Sequence, residues 1–309
     1  MGAFAHVTVG VTRLDEAIGF WEGNFGFGVR RRRDGADPDL ARAFGLPPAG
    51  ISGQALLASP LGPDRWAVAG NLHLVEFVAP LPPVRRGAGP CDRLPKNLDI
   101  YTGDLPASFA ALEAGGHRFR SRWGEIPAGD LVFREAHLPG HDELNVVLLE
   151  VIGPGYATTL SNRGFAGVGP VVTIVEDGAA EARFYSEVLG LATTLELLLE
   201  GPAIEATVGL PPGAGLDIRV FGAPAEPLGR IEIIEYQRVA GADLYPRANP
   251  PATGILHVHY RVADPGPLRA RLARAGIAVT EHGVVDALYG KGPLISFRSP
   301  TGFRIEVQG

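Results

Sequence analysis

Residues 6–28, HVTVGVTRLDEAIGFWEGNFGFG, and residues 171–191, VVTIVEDGAAEARFYSEVLGL, are two versions of one segment. Each reads as an alternating strand, an acidic turn, a short helix ending in two aromatic residues, and a glycine. Phe20 and Trp21 align with Phe184 and Tyr185, and Gly26 aligns with Gly190. A second pair has its own offset: DLPASFAALEAGG (104–116) lies over DPGPLRARLARAG (264–276), with Asp104, Leu112 and Gly116 over Asp264, Leu272 and Gly276. An internal repeat of this kind restricts the fold more than any composition does. The chain is a duplication with a boundary near 153–170, where GPGYATTLSNRGFAGVGP is rich in turn formers.

Gly/Pro-rich stretches at 79–90 and 245–254 cut each half again. Four units result, at about 1–80, 95–152, 170–240 and 254–309, in two tandem domains, 1–152 and 170–309. Each unit reads as strand, helix and three further strands. In the first unit the last strand is LHLVEFVA (72–79). In the fourth the helix is 265–275, followed by strands LISFRS (294–299) and FRIEVQ (303–308). The fold class is α+β, four βαβββ units. One unit leaves the sheet face opposite its helix bare, so units must pair. The net charge of −6 argues against nucleic acid as a partner. The single cysteine, Cys91, allows no internal disulfide, no apolar run approaches the roughly 20 residues of a membrane span, and the N-terminus does not read as a signal peptide. A cytoplasmic location, with no membrane partner, is expected.

The stretch GILHVHYRV (254–262) puts His257 and His259 two apart in a strand, and hence on one face. Read from the residues alone, a strand histidine is more often a satisfied core or rim group than a ligand, and Arg304 and Glu306 read as a salt bridge along one strand face. Arg30–Arg33 reads as a solvated strand edge, and HGVVDALYGKGP (282–293) as a loop able to cover a cavity mouth.

HVTVGVTRLDEAIGFWEGNFGF, FYSEVLGL and the ending SPTGFRIEV resemble the vicinal oxygen chelate superfamily: glyoxalase I, bleomycin-resistance and extradiol-dioxygenase proteins. The resemblance spans nearly the whole chain. It implies paired units that cup U-shaped, eight-stranded cavities. It also implies a divalent transition metal (Ni, Co, Zn, Mn or Fe), held by residues on the first and last strands of a unit. Carried over by position, these are His6 and Glu76 in unit one and His257 and Glu306 in unit four. Unit two has Asn97 at the histidine position, with Val147 or Glu150 at the other. Unit three has Pro170 and Glu235. If neighbouring units pair, each site receives one histidine. If the outer units pair, as in single-chain glyoxalase I proteins, His6, Glu76, His257 and Glu306 share one site and the inner site holds no tightly bound transition metal.

The resemblance then implies a metal-dependent lyase or isomerase acting on a small molecule with vicinal oxygens. The metal would act as Lewis acid, Glu76 or Glu306 as base, and His259 would orient the substrate. A ring-opening dioxygenase is the alternative, disfavoured because a fourth carboxylate ligand crowds the position O2 needs. A metal-free binding protein is the third reading. A monomer or homodimer is expected. His73, three residues from Glu76 and therefore on the other strand face, is set aside.

Overall fold

The computed structural model describes residues 1–61, 69–154 and 158–309. Residues 155–157, within the boundary read at 153–170, lie outside the described residues.

Unit one runs β1 (His6–Val11), α1 (Leu14–Phe25), β2 (Gly28–Asp34), α2 (Pro38–Ala43), β3 (Ile51–Ala58) and β4 (Asn71–Phe77). Unit two is β5 (Pro95–Thr102), α3 (Leu105–Ala114), β6 (Gly124–Ala128), β7 (Leu131–Pro139) and β8 (Asn145–Ile152). Unit three is β9 (Phe165–Val175), α4 (Gly178–Arg183), β10 (Ala192–Glu200), α5 (Pro202–Val208), β11 (Gly215–Gly222) and β12 (Arg230–Gln237). Unit four is β13 (Gly254–Arg261), α6 (Gly266–Arg274), β14 (Thr280–Ala287), β15 (Gly290–Arg298) and β16 (Arg304–Gln308).

These strands form two eight-stranded curled sheets, a half-barrel and a nearly closed barrel, in a tandem glyoxalase-like α+β fold. The outer sheet has the order β14-β15-β16-β13-β1-β4-β3-β2, and the inner sheet β10-β11-β12-β9-β5-β8-β7-β6. The outer units therefore pair with each other, as do the inner two. The halves 1–152 and 170–309 divide the sequence, whereas each sheet takes one unit from each half.

The repeat has a physical basis. Gly26 (φ +79°) and Gly190 (φ +71°) both take the left-handed conformation that ends a helical segment, and Gly116 and Gly276 do the same after α3 and α6. Asp37, Asp104 and Asp177 each accept a hydrogen bond from a backbone N–H three residues on, capping α2, α3 and α4. Val7, Val9, Val11, Leu72 and Leu74 point to the helix side of the outer sheet, where they join Trp21 and Phe25 in one core. The opposite, concave face has its own core, which includes Leu40, Phe44, Leu56, Val75 and Phe77.

Units one and three depart from the expected four strands and one helix. Each carries an extra short helix, α2 or α5. The side chains of α2 enter the concave core, and Arg42 ties it to the carbonyls of His282 and Val284 in β14. The run Arg30–Arg33 lies on exposed strand β2, as its charge implied. Residues 282–293 form most of the β14–β15 hairpin rather than a free loop.

Candidate metal centre

The first strands of units one and four meet antiparallel at the centre of the outer sheet, with His6 opposite His259, Val7 opposite Val258 and Thr8 opposite His257. Each first strand also pairs in parallel with the last strand of its own unit. Thr8 lies beside His73, and His259 beside Glu306. A local two-fold through Val7 and Val258 thus relates His6 to His257, Thr8 to His259 and His73 to Glu306. All six side chains lie on the concave face, because strand positions two apart share a face.

The cluster is sealed. His6, His73, His257, His259 and Glu306 are each at most 2% exposed. The rings of His6 and His259 stack with centroids 4.5 Å apart, and His73 meets His6 edge-on at 5.4 Å. Tyr289, from the hairpin that the sequence marked as a cover, lies against His259 at 4.4 Å, His6 at 4.9 Å and His73 at 5.3 Å. Phe44 closes the other side, 5.5 Å from His257. Glu306 Oε2 approaches His257 Nε2 at 3.2 Å and His259 Nδ1 at 3.7 Å. Its Oε1 accepts from Arg304 Nη2 at 2.7 Å, so the ion pair read from the sequence is present.

Charge follows from burial. Desolvation pushes His6 well below its ordinary range, and the neighbouring imidazoles push the same way. His73 falls to about 3 for the same two reasons. Burial also lowers His257 and His259, with Glu306 opposing it. Burial alone would raise Glu306, but His257 and Arg304 outweigh it and hold the carboxyl well below the usual range. Since burial keeps His257 neutral, the lasting cation beside Glu306 is Arg304. The site therefore consists of neutral imidazoles around one ionised carboxylate.

The hydrogen-bond network orients His73. Asp37 Oδ2 accepts from Gln54 Nε2 at 2.7 Å, so Gln54 Oε1 faces His73 Nε2, 2.9 Å away. His73 Nε2 must then carry the proton, which leaves the Nδ1 lone pair toward Thr8 Oγ1 at 3.5 Å. Several other ring and hydroxyl atoms lack a hydrogen bond to any described residue. His6 Nε2, His257 Nδ1, His259 Nε2 and Tyr289 Oη are buried without one, and His259 Nδ1 has only its 3.7 Å approach to Glu306 Oε2. Leaving such groups unmet costs ~1–3 kcal/mol each, and their gathering at one place is the mark of a site that takes a further group. Imidazoles and a carboxylate are donors that suit a divalent transition metal. Among the described residues, no three such side chains stand in the arrangement of a ligand set. The stacked rings of His6 and His259 would have to turn to share an ion.

Glu76 is not in this cluster, and the reason is strand parity. Val11, its neighbour in register, belongs to the helix-side core. The Glu76 carboxylate accepts from Leu14 N at 2.6 Å and Ser52 Oγ at 2.7 Å, meeting a free N–H at the start of α1. Glu150 does the same for Leu105 N at 3.0 Å, and Glu235 for Gly178 N at 2.8 Å. These three glutamates are helix caps. The counterpart of Glu306 in unit one is His73, three residues before Glu76. Its counterparts in units two and three, at the same position in register, are Val147 and Glu232.

The inner sheet gathers a different set. A cavity of about 40 Å3 is lined by Asn97, Asp99, Glu135, His137 and Glu232, among others. A wider opening of about 560 Å3, lined by Asn24, Asp104, His117 and Arg163 among others, contains no member of the histidine cluster.

Comparison with known proteins agrees with this architecture. Residues 167–307 match the Glyoxalase/Bleomycin resistance protein/Dioxygenase superfamily. That match covers the second half of the chain, which is a domain of this superfamily. Glyoxalase I from Zea mays has the same fold over 100% of this chain and 92% of its own, at 15% identity and a TM-score of 0.67. A putative dioxygenase from Bacillus subtilis follows over 99% and 84%, at 14% identity and a TM-score of 0.58. At these identities the likeness establishes the fold alone. No curated protein sequence matches the chain. Members of that superfamily are largely enzymes, and its glyoxalase-type proteins bind small-molecule substrates. No helix among the described residues is long and apolar enough to cross a membrane.

Proposed function

We propose that the chain is a divalent-metal enzyme that acts on a small molecule with vicinal oxygens by moving a proton. The supporting observation is the buried cluster of neutral imidazoles, several with a ring nitrogen left without a hydrogen bond, around the ionised Glu306. The residues proposed to hold the metal are the two-fold-related set His6, His257, His73 through Nδ1, and Glu306. A bound divalent metal supplies Lewis acidity toward adjacent substrate oxygens. The protein's own groups do the rest. His259, neutral with Nδ1 toward Glu306 and Nε2 free of any described partner, takes the substrate proton, a part the sequence reading gave to Glu76 or Glu306. Arg304 keeps Glu306 ionised. Tyr289 and Phe44 exclude water.

The location of Glu76 favours a second reading. With Glu306 the one carboxylate in the cluster, His6, His257 and Glu306 make the two-histidine, one-carboxylate set of non-haem Fe(II) oxygenases. The objection raised by a fourth carboxylate falls away. Metal reconstitution separates the readings. Proton-transfer chemistry predicts that Ni, Co, Zn or Mn each raise the melting temperature, and that substrates found by screening in D2O exchange a C–H without consuming O2. Stabilisation by Fe(II) alone, with O2 uptake on catechols, would support the oxygenase. No stabilisation by any of these metals would refute both.

A further inference from the structure

Where β15 ends and β16 begins, a pocket of about 460 Å3 opens beside the histidine cluster. Its lining includes Arg298 and Arg304, with the hydroxyls of Thr280, Ser296 and Ser299, and it contains no carboxylate. It adjoins the cluster by register, since Ser296 is paired with Glu306 and Arg304 with His257. Arg304 belongs to both places. Its Nε and Nη2 donate to Glu306 Oε1, Nη2 also donates to the Ala43 carbonyl, and its guanidinium lies 5.8 Å from the Phe44 ring centre. Its Nη1 makes no hydrogen bond to a described residue. Arg298 donates to neutral oxygens, Gly302 O at 2.7 Å and Asn249 Oδ1, and no carboxylate among the described residues pairs with it. Glu181, behind Ser299, has Oε1 engaged by Ser299 Oγ and Thr301 N. Of the two guanidinium charges, Glu306 offsets one. Arg298 lies directly opposite Arg304 across β15 and β16, where like charges repel, and burial and then Arg304 lower it.

We infer that this pocket receives an oxyanion, so that the molecule presented to the buried cluster is an acid. Guanidinium forks match the oxygens of a carboxylate or phosphate, and an anion between Arg298 and Arg304 Nη1 relieves their repulsion. A pocket of this volume admits the body of a small ligand behind that head group. The inference rests on reading the histidine cluster as the reaction centre, but its test does not need a metal. Chelator-treated protein is titrated with inorganic phosphate, malonate and neutral malonamide at constant ionic strength, by calorimetry. Saturable binding of phosphate or malonate is expected, with none for malonamide. Arg298→Gln should weaken it by about tenfold or more, and Arg298→Lys should retain part of it. The tighter of the two anions identifies the head group. The inference is overturned if neither anion saturates, if malonamide binds equally well, or if Arg298→Gln leaves the affinity unchanged. Failure of the metal reading would show separately, as metal-insensitive melting of a protein that still binds the anion.

Discussion

His73 and Glu76 lie three residues apart on one strand and do opposite jobs. His73 faces the concave side, held by Gln54, while Glu76 faces α1 and caps it. Glu76→Ala should therefore cost ~1 kcal/mol in urea unfolding and leave metal affinity unchanged. A loss of metal on that change would return Glu76 to the ligand set. The buried imidazoles also impose a pH dependence. An unfolded histidine titrates near 6.5, and His73 in the fold is held at about 3 by burial and by its histidine neighbours. The unfolded state binds more protons across that interval. The stability that comes from keeping His73 neutral is thus complete above about pH 6.5 and is lost as pH falls toward 3, at ~1.4 kcal/mol per pH unit for each such group. In urea melts between pH 6.5 and 5, His73→Gln should flatten the acid slope by about one proton. An unchanged slope would mean that His73 is not held neutral.

At the scale of the strands, what the sequence made legible was what the alternation of side chains carries directly. The four first strands, their helices and the shared face of His257 and His259 follow from periodicity. His73 was set aside because Glu76 was taken as the inward residue of NLHLVEF, and strand positions three apart face opposite ways. Which of them faces the cavity depends on the register with β1, a non-local quantity. The signal that could have found it was parity: the last strand's inward position lies beside the residue two after the first-strand histidine. Helix α2 was not read; Asp37-Pro38, an N-cap followed by proline, is the signal that could have found it inside a stretch read as strands. The inner strands carry a further test. Burial, and then Glu135, raise Glu232 to about 8, against roughly 4.3 for a free glutamate. Here the folded state binds more protons, so the stabilisation is complete below about pH 4.5 and is lost as pH rises toward 8. Glu232→Gln should remove that loss and make the protein roughly 1–4 kcal/mol more stable at pH 8. Equal stability at pH 8 would show that Glu232 is not strained there.

At the scale of the whole molecule, each sheet is closed by a strand pair joining distant parts of the chain, β1 with β13 and β5 with β9. The sequence halves 1–152 and 165–309 should therefore melt without cooperativity when made apart and should co-purify when made together. A cooperatively folded, monomeric 1–152 fragment would mean that neighbouring units can pair as well. The repeat revealed four units but left their partners open, because pairing is decided by which first strands meet and both ways bury the same kind of face. That meeting brings His6 to His257 and excludes Glu76, so the centre draws on both ends of the chain. The most direct test is anomalous diffraction at the metal edge from crystals grown with Ni, Co or Zn. One peak is expected on the concave face of the outer sheet, with His6, His257 and Glu306 donor atoms about 2.0–2.2 Å from it and Glu76 still bonded to Leu14 N. A peak ligated by Glu76, or no peak among these histidines, would contradict a metal centre shared by units one and four.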